Sequence, residues 1–92
     1  MNDTTTEQTA AADARDILLT VADQLADGPH YRTITEAERL ALILDAVTAR
    51  HGYGVPALNL DREVRLLAPT IAWELSRGEY ALILRRAAGG AQ

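Results

Sequence analysis

The chain has 92 residues, a net charge of −4 with its histidines neutral, and 48% hydrophobic residues. That is one domain's length and a globular composition, too apolar for a disordered chain. It has no cysteine, and its nine basic residues are all arginine, which bars disulfides, thiolate catalysis, cysteine-based metal centres, lysine Schiff bases and a Walker-type phosphate lysine.

Leucine is the commonest large apolar residue, alanine is abundant and phenylalanine is absent, so the core has to be aliphatic. A chain this short is modestly stable alone or gains the rest by pairing. No secretory pattern opens the chain and no apolar run approaches the ~18 residues of a membrane span, so the expectation is a cytoplasmic protein that does not enter membranes. The charge is uneven: residues 1–49 carry three Arg against nine acids, net −6, and residues 50–92 carry six Arg against four, net +2.

Residues 1–9, MNDTTTEQT, are polar and aperiodic and read as a flexible tail, leaving 10–92 as a single helical domain. A first helix is predicted from about Thr9 to Asp27, with Ala11, Ala14, Leu18, Val21 and Leu25 on one face and Gly28-Pro29 as its stop. Asp13, Asp16, Asp23 and Asp27 follow that stripe at an offset of two residues and read as a solvated acidic face.

The second helix has the clearest start. In TITEAERLALILDAV, Thr35 and Glu38 stand at capping-box spacing, and an overlapping Thr33–Glu36 pair blurs the first residue. Leu40 to Leu44 are apolar nearly all round, so this helix is central, ending near His51-Gly52.

HGYGVPALN then reads as a loop, with Asn59 as N-cap of a third helix. Leu60, Val64, Leu67, Ile71 and Leu75 form its inward stripe. Pro69 leaves the carbonyl of Arg65 without its helical donor. A fresh helix beginning at Pro69 has only Ala68, a poor cap, before it, so one kinked helix over about 60–77 is preferred. Gly78 interrupts, and a last helical piece covers 79–88. The fold class is all-α, a small bundle of three or four helices, with no internal repeat.

On a continuous helix, Leu66, Trp73, Tyr80 and Ala87, seven apart, with Leu84 beside them, point about 200° away from the Ile71 stripe. Two readings follow: Trp73 fills the core because Pro69 and Gly78 break the phase, or the stripe is covered by a partner or a second copy. The second reading makes Leu66, Trp73, Arg77, Tyr80 and Leu84 the partner-binding residues of a small non-enzymatic interaction module.

An alternative is a helix-turn-helix-like DNA reader using residues 70–88, although EYALILRR is mostly apolar where base-reading side chains are needed. A third is a structural component of a larger assembly. His30 and His51 stand alone beside glycines, GYG follows no strand, and Ser76 has no base in view, so neither catalysis, a metal nor a cofactor is expected.

Overall fold

The computed structural model describes residues 2–89, with side chains from residue 12 onward. The tail expected over 1–9 lies outside the side chains described. The elements in order are α1 (Asn2–Asp27), β1 (Thr33–Ile34), α2 (Glu36–His51), α3 (Val55–Leu67), β2 (Leu75–Ser76) and α4 (Arg77–Gly89). Among the described residues the fold is all-α with four helices. Its two short strands pair antiparallel, Thr33 opposite Ser76 and Ile34 opposite Leu75. Among the described residues no helix is long and apolar enough to cross a membrane.

The order helix–strand–helix occurs twice, and the same local device starts α2 and α4. Thr35 Oγ1 accepts the Glu38 N–H at 3.1 Å while the Glu38 carboxylate accepts the Thr35 N–H at 3.2 Å. Ser76 Oγ accepts the Glu79 N–H at 3.1 Å while the Glu79 carboxylate accepts the Ser76 N–H at 2.9 Å. Both are reciprocal capping boxes, and each follows a buried aliphatic, Ile34 or Leu75. Bonds from Ser76, its backbone N–H first, hold the Glu79 carboxyl below the ordinary carboxylate range. A short repeat is therefore present after all: Ile34-Thr35-x-x-Glu38 and Leu75-Ser76-x-x-Glu79.

The core lies between the helices, with α1 packing chiefly on α4 and α2 on α3. Ile17, Leu18, Val21 and Leu25 of α1 meet Ile43 and Val47 of α2, Val64 of α3, and Tyr80 and Leu84 of α4 in one buried cluster.

Three expectations for the C-terminal half need correction. First, α3 begins at Val55 with Gly54 as its N-cap and a proline in its first turn, so Asn59 lies inside the helix. Gly54 has φ 137°, a conformation that favours glycine, and proline suits a first turn. Second, no kinked helix crosses Pro69. The residue before a proline is pushed out of the helical region, and Ala68 is extended at φ −80°, ψ 120°, ending α3 at Leu67. Third, α4 starts at Arg77 from its own capping box, so Gly78 lies in its first turn and interrupts nothing.

The end of α3 is held by a buried arginine. Arg39 is 3% exposed. Its Nη2 donates to the carbonyls of Arg65 at 2.7 Å and Ala68 at 2.8 Å, its Nη1 to Glu36 at 2.6 Å, and its Nε to the Tyr80 hydroxyl at 3.2 Å. The Arg65 carbonyl is the one that Pro69 orphans. Tyr80 in turn donates to the Pro69 carbonyl, and the other oxygen of Glu36 accepts the Ile71 N–H at 3.0 Å. Burial pushes the Tyr80 hydroxyl above its ordinary pKa, against the opposing pull of the Arg39 charge.

Beyond the ribbon, Arg77 N–H donates to the Arg32 carbonyl at 2.7 Å and Gly78 N–H to that of His30 at 2.8 Å. A Cβ on Gly78 would stand 3.1 Å from His30 Cβ and 3.2 Å from its carbonyl oxygen. The neighbouring backbone is fixed by those bonds and has little room to yield.

Two stability measurements check this description. Arg39→Ala leaves buried carbonyls without donors and should cost about 3–5 kcal/mol in urea unfolding; Arg39→Lys should recover little, because an ammonium lacks the planar fork that spans these acceptors. A loss under 1 kcal/mol would show that the network does not hold the α3 end. Gly78→Ala should lower stability by about 1 kcal/mol, overpacking outweighing better helix propensity. A rise in melting temperature would mean the His30 segment moves aside.

Candidate interaction surface

The five residues expected to meet a partner do not share one face. Leu66 is 81% exposed and Trp73 65%, whereas Tyr80 and Leu84 are each 1% exposed and belong to the core. The heptad spacing carries no angular meaning, because α3 ends at Leu67, Trp73 lies in the connection and α4 restarts the phase at Arg77. Arg77 is half-buried, its Nη1 bonded to Glu38 at 2.8 Å, tying the start of α4 to that of α2. What the structure leaves outward is Leu66 and Trp73, at and just beyond the end of α3.

A larger apolar face was not visible while residues 51–59 read as loop. Once α3 starts at Val55, Val55, Leu58, Arg62 and Leu66 follow at steps of three and four and lie along one side of the helix. Val55 is 69% exposed and Leu58 59%. Ala57 and Val64, on the opposite side, are buried. The signal was in the sequence, since a proline beside Val55 marks a helix's first turn.

The acidic face of α1 is partly neutralised from within. Asp16 stands 3.7 Å from Arg50, and Asp23 3.2 Å from Arg85. Such exposed pairs contribute about 0–1 kcal/mol each. They also bear on DNA reading: of the two arginines at the end of α4, Arg85 faces an α1 carboxylate, and α4 puts Tyr80, Ala81, Leu84 and Ala88 into the core.

Two clefts open on the surface. One, of about 290 Å³, is lined by Asp13, His51, Pro56, Asn59, Leu60 and Glu63. The other, of about 440 Å³, lies beside the ribbon at His30, Tyr31, Ser76, Glu79, Leu82 and Arg85. In the second, the only hydroxyl nucleophile besides Tyr31 is Ser76, already engaged in the α4 cap. His30 stands edge-on to Tyr31 with ring centres 6.3 Å apart. Among the described residues no three His, Asp or Glu side chains gather where a metal ion could be held.

No protein-family model, curated protein sequence or solved structure matches this chain. The surface itself is what function has to be read from.

The exposure of Trp73 has a direct optical check. In dilute solution its emission should lie at the wavelength of solvated indole and be quenched efficiently by acrylamide. Blue-shifted, protected emission in a monomer would place the ring in the core.

Proposed function

We propose that this chain is a non-enzymatic, cytoplasmic protein-interaction module that works by covering apolar surface in its C-terminal half. The observation that carries the reading is the outward placement of the lone tryptophan and of Leu66, at 65% and 81% exposure, while the core closes without either. Scattered apolar side chains on a surface need no explanation. Here they cluster at the two ends of α3 and along it, and tryptophan is a side chain that gains most from burial against a partner.

The protein is expected to crosslink to a protein neighbour from the α3 end and not from elsewhere. A photo-reactive residue replacing Leu66 or Trp73 should capture a protein in the cells that express the chain, whereas the same residue at exposed Gln24 should capture none. Trp73→Asp should abolish capture from position 66 with helical content unchanged. Crosslinks confined to one large particle would assign the structural role instead. Duplex-DNA binding that weakens steeply with salt and is lost on replacing Arg85 and Arg86 by Ala would replace the proposal with the DNA reading.

A further inference from the structure

We propose that the outer face of α3 is a docking site for an acidic amphipathic helix of a partner protein. The inference rests on the interaction reading above and specifies its surface and the partner's chemistry. Val55, Leu58 and Leu66 lie within twelve residues, about 16 Å or three turns from first to last, which matches the reach of a helix laid along another with anchors every third or fourth residue.

Charge then selects the occupant. Arg62 lies in the middle of the stripe, four residues from both Leu58 and Leu66, and is exposed. The arginine three residues on is already committed: Arg65 Nε is 3.0 Å from the buried carboxylate of Asp61. Arg62, like Arg15, Arg32 and Arg86 elsewhere on the surface, has no ion-pair partner among the described residues, so of the two arginines of α3 it is the uncommitted one. An incoming apolar helix that covers Val55, Leu58 and Leu66 also desolvates this guanidinium, and a carboxylate facing it is what offsets that cost.

A second copy of the chain has no carboxylate within the stripe itself; its nearest exposed one, Glu63, lies at the edge, about 60° round the helix from Leu66. A parallel two-fold pairing of α3 sets the two Arg62 side chains opposite each other. An antiparallel pairing about the middle of the stripe sets them about 5 Å apart along the axis. Like charges so placed oppose the pairing. A phosphate-rich partner is disfavoured too, since one free arginine among aliphatics gives little of the electrostatic binding that nucleic acid or an anionic membrane requires.

The test is a displayed library of 16-residue helical peptides, randomised on one face and selected against the full chain. Enriched peptides should carry large apolar residues at i, i+3 or i+4, and i+7, with Glu or Asp between them. Leu58→Asp should weaken their binding by at least about tenfold. Arg62→Glu should switch the selected charge from acidic to Lys or Arg; both sites are solvent-exposed, and circular dichroism confirms the fold. Peptides lost with Trp73→Ala but indifferent to Leu58→Asp and Arg62→Glu would overturn the α3 site while leaving the interaction reading standing. Self-association crosslinked α3 to α3 would overturn it in favour of a second copy. An empty selection from a monomeric chain that also captures nothing from position 66 would remove both.

Discussion

The guanidinium of Arg39 joins three helices, α2, α3 and α4, that no continuous element connects. From α2 it reaches two carbonyls at the end of α3, the carboxylate of Glu36 and the hydroxyl at Tyr80 of α4. The need for it begins at Pro69. A proline after the end of a helix removes a donor and forces the preceding residue extended, so α3 stops with its last carbonyls facing inward. One planar fork reaches both of them. Burying a charge for this purpose gains little net stability over an apolar alternative. What it decides is the path of the chain: the 68–74 connection is held at Ala68, Pro69 and Ile71, and Trp73 leaves from that held segment into solvent.

The same contact shows how the two halves relate. Counting from each capping box, Thr35 corresponds to Ser76, Ala37 to Gly78, and Arg39 to Tyr80. The hydrogen bond from Arg39 to Tyr80 thus links equivalent positions of the two units, beside a ribbon in which each contributes one strand. The departures from symmetry have local causes. Ala37 is exposed, so a methyl is harmless there, whereas the backbone of His30 lies against Gly78 and leaves no space for one. The calcium-type helix–loop–helix would require a twelve-residue loop rich in carboxylates. The connections here are shorter, and between Gly28 and Thr35 there is no acid at all.

Legibility in the sequence followed how local each cause was. Fold class, the stops at Gly28 and Gly52 and the Thr35–Glu38 box depend on neighbours within a turn, and all were readable. The orphaned Arg65 carbonyl was readable as a problem but not as a solution, since its donor lies 26 residues earlier in α2. The kink at Pro69 was misjudged because a missing cap at Ala68 was set against restarting at the proline, when the chain restarts at Ser76. That box has the same spacing as the first, but the glycine inside it reads as an interruption of a helix and not as its first turn. The heptad through Leu66, Trp73, Tyr80 and Ala87 does not survive the break between α3 and α4, periodicity having meaning only on an unbroken helix.

This division of labour bears on the exposed face of α3. The core is complete with Ala57 and Val64 pointing inward from that helix, the ribbon closes one end of the bundle, and Arg39 fixes where α3 stops. Val55, Leu58 and Leu66 add nothing to any of these, and folding alone would be served as well by polar residues there. Their exposure lowers solubility, against which the net charge of −4 acts as a counterweight. An apolar stripe that folding does not use, centred on the one α3 cation without a carboxylate among the described residues, is what supports the proposed docking site. That cation makes the stripe specific as well as sticky: a purely aliphatic helix laid over it strands a buried charge, and only an acidic one removes the penalty.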